Sequence, residues 1–192
     1  MCENKPSLLL HACCGPCSTT ALERMCRKYN VTLYFYNPNI APREEYLHRM
    51  QEARRLVEEM SKDLPVTFVE GPYTPDSFLE EVRGLEHEKE GGARCARCFA
   101  LRLRQSALYA REHGIDLFTT TLTVSPHKNA EVINRIGAEI ATTGAGAPAY
   151  LPSNFKKEDG YKRSVELSRL YGLYRQDYCG CVFSNYHLLQ KT

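Results

Sequence analysis

The stretch SLLLHACCGPC, residues 7–17, decides the fold of this 192-residue chain. Residues 7–12 form a short apolar run, which predicts a buried strand, and a Cys/Gly/Pro turn follows directly. A helix is predicted next, over residues 17–29. A strand that leads through a short turn into a helix is the first half of a β–α–β unit, so we expect a parallel sheet.

The rest of the chain repeats this alternation. Further strands are predicted at 31–36, 66–69 and 117–120, and helices at 43–61, 75–82, 96–113, 129–142 and 159–171. Residues 145–154 are predicted to be irregular or to hold a short strand, and the turn at Cys179 precedes a C-terminal helical stub. The pattern predicts a single doubly wound α/β domain over residues 1–192, with its parallel sheet covered on both faces.

Polar and sulfur-containing side chains follow three of the predicted strands. Cys13, Cys14 and Cys17 follow the first strand, residues 37–39 follow the second, and residues 121–127 follow the fourth. In open parallel sheets, ligands bind beyond the carboxyl ends of the strands. The topology alone therefore predicts that these three loops meet on one rim.

Composition restricts the classes of protein to consider. Hydrophobic residues make up 43% and charged residues 25%, as in ordinary globular proteins, and the net charge of +2 does not by itself indicate nucleic-acid binding. No apolar run approaches the roughly 20 residues that cross a bilayer, and residues 1–5 lack the apolar core of a signal peptide. We therefore expect a cytoplasmic protein with no membrane partner.

Nine cysteines are many for a chain of this size, and in a reducing cytosol they indicate metal binding or redox chemistry. Cys2 and Cys26 stand apart and are interpreted as structural or incidental. The others form the pairs Cys13–Cys14, Cys95–Cys98 and Cys179–Cys181, with Cys17 close to the first pair.

Two of these pairs supply four thiolates, which suit zinc or an iron–sulfur cluster. The pairs are about 80 residues apart, and adjacent cysteines are unlike a zinc knuckle, so the spacing favours a cluster. A zinc site, a zinc-stabilised RNA-binding module, and thiols that are redox-active or merely buried remain open on this ground.

A thioredoxin-like thiol oxidoreductase is a further alternative. Residues 14–17, Cys-Gly-Pro-Cys, have the sequence of a thioredoxin active site, and they lie between a strand and a helix. However, the chain has no tryptophan, and this alternative leaves Cys95 and Cys98 without a role. Thiols and Pro16 also fill the turn where nucleotide-binding proteins have a glycine- and serine-rich phosphate loop, which disfavours ATP binding.

The charge pattern is asymmetric. Residues 94–111 contain five arginines and no acid, whereas residues 70–90 hold seven acids and two bases. A second basic group consists of Lys156, Lys157, Lys162 and Arg163. Such groups suit phosphate contacts with RNA, and a solvated helix face is the alternative interpretation.

Five blocks of sequence resemble the epoxyqueuosine reductase QueH family. They are HACCGPCS at 11–18, YFYNPNI at 34–40, RCARCFALRL at 94–103, FTTTLTVSP at 118–126 and YRQDYCGC at 174–181. The blocks stand in family order and span nearly the whole chain. The resemblance implies a fold similar to the adenine-nucleotide α-hydrolase-like (HUP) group, with cysteines in place of the ATP loop.

The resemblance also implies an activity and its partners. The enzyme would be an iron–sulfur oxidoreductase that reduces epoxyqueuosine to queuosine in tRNA. Its partners would be the anticodon stem-loop that bears epoxyqueuosine and an unidentified electron donor. The implied cofactor is a 4Fe–4S cluster, and cobalamin is not required.

Site residues follow from the same resemblance. It implies Cys13, Cys14, Cys95 and Cys98 as cluster ligands, and Cys179 with Cys181 as a redox-active catalytic pair. Cys17 would be an alternative ligand or would bind an additional iron. Asn154 stands where an acid is expected. The reaction also needs a proton donor, and the candidates are His127, Tyr36 and Asp177.

Overall fold

A five-stranded, all-parallel sheet lies at the centre of the structure, in the strand order β3-β2-β1-β4-β5. The computed structural model describes residues 5–144 and 146–184. The strands are β1 (Ser7–His11), β2 (Asn30–Phe35), β3 (Val66–Glu70), β4 (Leu117–Thr120) and β5 (Ala149–Tyr150). The four predicted strands are confirmed, and β5 is the short strand considered for residues 145–154.

Helices cover both faces of this sheet. They are α1 (Gly15–Met25), α2 (Arg43–Met60), α3 (Pro75–Glu81), α4 (Ala93–Glu112), α5 (Ala130–Ala141) and α6 (Gly160–Leu170), with a 3-10 turn at Thr121–Val124. Leu8 and Leu10 of β1 pack in one core cluster with residues of α1 and α2, whereas Leu9 packs in a second cluster with residues of α4. Successive side chains of a strand point to opposite faces, so a core on each side confirms the doubly wound α/β fold.

Two helices begin earlier than the sequence predicts. The first helix starts at Gly15 rather than at residue 17, and α4 starts at Ala93 rather than at residue 96. Pro16 is tolerated in the first turn because the amide hydrogen that it lacks has no partner there. As a result, Cys95 lies inside the first turn of α4 rather than before the helix, and Cys17 is the third residue of α1 rather than its first.

The strand order contains a reversal of direction at β1. The chain moves outward through β2 and β3, then returns to place β4 on the other side of β1. A crevice for ligands forms at such a switch point. The cysteine turn follows β1 and the 3-10 turn follows β4, so both flank this crevice.

None of the described helices is both long and apolar enough to cross a membrane. Cys2 and the part of the C-terminal helical stub beyond residue 184 lie outside the described residues.

Candidate functional site

Three cysteines meet at the switch point. The Sγ atoms of Cys13, Cys14 and Cys17 all lie within 4.8 Å of one another, and those of Cys13 and Cys14 are 3.8 Å apart. Among the described residues, this is the one set of three or more His, Cys, Asp or Glu side chains that are close enough to share a metal ion. The trio is a candidate metal site of soft thiol ligands.

The turn that carries these cysteines is fixed on two sides. The Cys13 amide donates to Thr121 Oγ1 over 3.0 Å, and the Thr121 hydroxyl lies 3.2 Å from Cys13 Sγ. On the other side, a Cβ atom at Gly15 would lie 3.3 Å from the backbone carbonyl of Glu52 in α2. Glycine therefore allows α2 to pack closely against the start of α1.

The three thiols have different acidities. Hydrogen bonds from the Cys14 and Cys17 thiols hold the pKa of Cys13 well below its usual value, and nearby Lys128 and Arg102 act in the same direction. The hydrogen bond to Cys13 raises the pKa of Cys14 to about 11, and bonding to both neighbours raises the pKa of Cys17. Cys13 is therefore the first of the three to ionise, and it does so next to two cations.

A second group of cysteines lies at an adjoining cavity. Cys95, Cys98, Cys179 and Cys181 line a small cavity of about 150 Å³. Burial raises the pKa of the Cys98 thiol to about 12 and that of Cys181 to about 11. These two side chains pack in one cluster with Phe78 and Val82.

A larger cavity of about 680 Å³ opens beside the first. Cys13, Cys14, Cys17 and Cys179 all line it, and Cys179 is the one cysteine among the described residues that lines both cavities. The structure therefore brings Cys13 and Cys14 together with Cys17. Cys95 and Cys98 line the adjoining smaller cavity instead. All eight described cysteines are free thiols in this structure.

The Cys179-Gly180-Cys181 turn is held through its backbone. Ile40 and Cys181 form an isolated antiparallel bridge, and the Ala41 amide donates to the Gly180 carbonyl over 2.9 Å. Arg49 donates from Nη1 to the Cys179 carbonyl over 3.0 Å. The loop after β2 and helix α2 therefore hold both thiols beside the cavities.

A buried polar network lies between the two cysteine groups. Arg102 donates from Nη2 to Asn37 Oδ1 in a short hydrogen bond, and its Nε lies 3.4 Å from His11 Nε2. Burial, together with the charge of Arg102, lowers the pKa of His11 to about 3, so this imidazole is neutral at physiological pH. Asn37 Nδ2 in turn donates to the Ala12 carbonyl over 2.9 Å. The network thus links three motif blocks to the cysteine turn.

Four residues of the larger cavity carry buried polar atoms that have no hydrogen-bond partner within the described part of the chain. These atoms are Asn39 Oδ1, Arg49 Nη2, Arg175 Nη1 and Gln176 Oε1. Of these residues, sequence reasoning pointed only to Asn39, through its place after the second strand. Arg49 gives no sequence signal because it lies within a charged helix, whereas Arg175 and Gln176 stand in the last motif block.

The interpretation of residues 94–111 as one arginine surface is wrong. Arg94 and Arg102 are buried, at 5% and 3% exposure, and Arg94 donates to the Glu86 carbonyl. Arg104 is exposed but forms an ion pair with Glu81 at 2.5 Å, and Arg97 lies 3.7 Å from the same residue. Arg94 and Arg102 are eight residues apart and lie on the helix face of Cys98, whereas Arg97 and Arg104 face α3.

The three candidate proton donors lie in different places. His127 lines both cavities and Asp177 lines the larger one, and both are exposed. Tyr36 is buried, lines neither cavity, and its hydroxyl lies 3.3 Å from Thr74 Oγ1. Asn154 also lies outside both cavity linings, and its Oδ1 has no partner among the described residues.

Comparison with known proteins identifies the family. The sequence profile described as "Epoxyqueuosine reductase QueH" matches residues 8–187. The chain belongs to the QueH family. A QueH protein of Streptococcus pyogenes serotype M1, named epoxyqueuosine reductase, is 45% identical over 94% of this chain and 71% of its own length.

Other QueH relatives match over a similar span. The Staphylococcus aureus protein is 44% identical, covering 94% of this chain and 76% of its own. The Thermotoga maritima protein is 34% identical, covering 93% of this chain and 90% of its own. Both are named epoxyqueuosine reductase. The resemblance stated from the five sequence blocks is therefore confirmed at the level of the family.

Proposed function

We propose that this chain is an epoxyqueuosine reductase that acts in the cytoplasm on tRNA, at the anticodon stem-loop that bears epoxyqueuosine. The observation that carries the proposal is the convergence of four QueH motif cysteines on the larger cavity at the carboxyl rim of the sheet. Cys13, Cys14, Cys17 and Cys179 line that cavity together with polar and basic side chains. Family membership supports this function over the thioredoxin-like oxidoreductase and the zinc-stabilised RNA-binding module.

We further propose that the resident cofactor is an iron–sulfur cluster, with Cys13, Cys14, Cys95 and Cys98 as its ligands and Cys17 as an alternative ligand or the ligand of an additional iron. Three observations support a thiolate-bound metal here. The trio of Sγ atoms is compact, Cys95 and Cys98 line the adjoining cavity, and Arg102 and Lys128 border both cavities. When bound, such a cluster supplies single electrons and a Lewis-acidic iron for an epoxide oxygen.

The reaction sets what the protein residues must supply. Removal of an epoxide oxygen to leave an alkene consumes two electrons and two protons and releases water. Oxidation of the Cys179 and Cys181 thiols to a disulfide releases two electrons and two protons, so this pair balances one turnover. An external reductant must then regenerate the dithiol. The position of Cys179 on both cavities supports this role.

The unpartnered polar atoms support a substrate site in the larger cavity. An unsatisfied buried polar group costs about 1–3 kcal/mol, so a set of four is destabilising unless water or a ligand completes their hydrogen bonds. Arg49 and Arg175 offer donors, whereas Asn39 and Gln176 offer acceptors. A hydroxylated nucleoside carries both donors and acceptors, and it therefore matches the chemistry of this set.

Complementation of a bacterium that lacks its own epoxyqueuosine reductase tests this function. We expect the wild-type chain and Cys26→Ala to restore queuosine in total tRNA, measured by mass spectrometry of nucleosides. Cys13→Ser should leave epoxyqueuosine in place. Cys26 is a suitable control because it is buried against Pro65, away from both cavities. Failure of well-expressed wild-type protein to restore queuosine would refute the proposal.

A further inference from the structure

The most unusual electrostatic feature of the site is a buried arginine without an acid. Arg102 is 3% exposed, and its hydrogen-bond partners, Asn37 Oδ1 and the neutral His11 ring, carry no charge. Within residues 5–144 and 146–184, no carboxylate lies within ion-pair distance of its guanidinium. A buried charge is costly unless an opposite charge compensates it, so Arg102 requires an anion near the cavities.

Lys128 repeats this feature at the same two cavities. It is half-buried in the loop before α5, lines both cavities as Arg102 does, and forms no ion pair with any described carboxylate. The carboxylates that line the cavities belong to Glu90 and Asp177, and both side chains are exposed. By contrast, the buried Arg49 has its own counter-ion in Glu45, at 2.6 Å.

The groups beside Arg102 and Lys128 that can carry compensating negative charge are the cysteine sulfurs, which become thiolates when they bind a metal. Cys13, Cys14, Cys17 and Cys179 share the larger cavity with both cations, and Cys95, Cys98, Cys179 and Cys181 share the smaller one with them. Thiolate-ligated iron–sulfur centres carry net negative charge, which increases on reduction, and their potentials depend on nearby charge. Two fixed cations therefore stabilise the reduced form more than the oxidised form.

We propose that Arg102 and Lys128 are the counter-charges of the thiolate-bound metal centre and that they raise its reduction potential. This inference rests on the metal centre of the proposed function. The hydrogen bond from Arg102 to Asn37, and from Asn37 to the Ala12 carbonyl, fixes the guanidinium relative to the cysteine turn. Arg102 and Lys128 are thus positioning residues that act through the centre rather than on the substrate.

The test is the midpoint potential of full-length protein that has been reconstituted anaerobically with iron and sulfide. Iron and sulfide contents are measured first, and the potential is then followed by visible absorption and electron paramagnetic resonance. Arg102→Gln and Lys128→Gln should shift the midpoint to more negative values, whereas Arg102→Lys and Lys128→Arg should largely retain it. Arg104→Gln is the matched control, since Arg104 lies on the same helix but pairs with Glu81.

The outcomes separate this inference from the proposed function. A Lys128→Gln protein with wild-type iron content and an unchanged potential would overturn the inference, as would wild-type protein that binds no thiolate-ligated metal. Variants that bind tRNA more weakly but keep the wild-type potential would also overturn the inference, because the two cations would then contact RNA rather than compensate the metal centre. If Arg102→Gln does not fold, the potential of the Lys128→Gln variant still tests the inference, because Lys128 is only half-buried. If the variants shift the potential but the wild-type protein forms no queuosine, the proposed function is refuted and the inference about the two cations stands.

Discussion

Arg49 donates from Nη1 to the carbonyl oxygen of Cys179 over 3.0 Å, and the same guanidinium occupies the space that a Cβ atom at Gly180 would take. Arg49 is itself fixed by Glu45 at 2.6 Å and lies 4.9 Å from the ring centre of Tyr178. Helix α2 therefore sets the conformation of the turn that carries Cys179 and Cys181. This contact explains why the residue between the two cysteines is a glycine.

Gly180→Ala should disturb this turn in two ways. Gly180 has φ +83°, in the left-handed region, and a Cβ atom there would lie 2.8 Å from Arg49 Nη2. Gly172→Ala is the matched control, because its φ is +56° and a Cβ there has nothing within 4 Å. We expect the control to cost about 1 kcal/mol of unfolding free energy for backbone strain alone.

The Gly180→Ala variant should lose about 1–3 kcal/mol more than the control, because it must also displace Arg49. It should also lose multiple turnover, since both thiols would move. Urea unfolding and steady-state queuosine formation measure the two effects. Equal unfolding free energies for the two variants would show that Arg49 does not constrain the turn.

Removal of single thiols should separate ligands from bystanders. Cys95→Ser and Cys98→Ser should lose iron and sulfide because a serine oxygen is a poor ligand for an iron–sulfur cluster. Cys26→Ala should retain both, since Cys26 lies outside the cavities. Metal and sulfide analysis of anaerobic protein is the measurement. Full iron and sulfide contents in Cys95→Ser would show that Cys95 is not a ligand. Stoichiometric zinc without sulfide in the wild-type protein would show that the site binds zinc rather than a cluster.

RNA binding should depend on exposed basic side chains of the protein beside the larger cavity. Tyr161 lines the larger cavity and is 39% exposed, and the adjacent Lys162 is exposed in the first turn of α6. Lys162→Gln should weaken tRNA binding and reduce the slope of log affinity against log salt by roughly 0.7–0.9, the value for one lost phosphate contact. Lys62→Gln is the control, since Lys62 follows α2 at the amino edge of the sheet. Equal losses for both variants would indicate unspecific charge attraction.

The link between α1 and α6 should make stability depend on pH. Arg163 donates to both carboxylate oxygens of Glu23, at 2.7 and 3.0 Å, and this hydrogen bonding lowers the pKa of Glu23. A carboxyl group whose pKa is lower in the folded state stabilises the fold at pH values above its unfolded-state pKa. This stabilisation is lost as the pH falls through the folded-state pKa. Glu23→Gln should therefore cost up to about 1 kcal/mol near neutral pH and nothing in acid.

Urea unfolding of wild type and Glu23→Gln at several pH values checks this dependence. Glu139→Gln provides the comparison, because Glu139 is 69% exposed and lies 3.9 Å from Arg135, where a measurable contribution is not expected. A difference between wild type and Glu23→Gln that persists below the pKa of Glu23 would contradict the assignment.

The order of strands and helices could be predicted from the sequence because apolar runs and turn residues alternate along the chain. The rim could be predicted for the same reason, since parallel strands place their following loops at one edge. The predicted helix starts at residues 17 and 96 are later than the observed starts at Gly15 and Ala93. Turn residues and arginines in these segments hide the first helical turn from the sequence pattern. The trio itself agrees with the sequence, which places Cys17 close to Cys13 and Cys14.

The arginines of α4 show what the sequence could have revealed and what it could not. Spacing by four residues places Arg94, Cys98 and Arg102 on one helix face, which is a usable signal that these arginines accompany a cysteine. That this face is buried depends on packing against β1 and the segment after Cys179, which only the tertiary structure supplies. The same holds for Arg49, whose role depends on a turn 130 residues further along the chain.

The most direct test of the proposed activity follows the modified base itself. Anaerobically reconstituted wild-type protein is incubated with a chemical reductant and tRNA that bears epoxyqueuosine, and the nucleosides are then quantified by mass spectrometry. The account predicts that queuosine appears as epoxyqueuosine disappears, and that Cys13→Ser forms none while Cys26→Ala matches wild type. Unchanged epoxyqueuosine after incubation with metal-loaded, folded wild-type protein would contradict it.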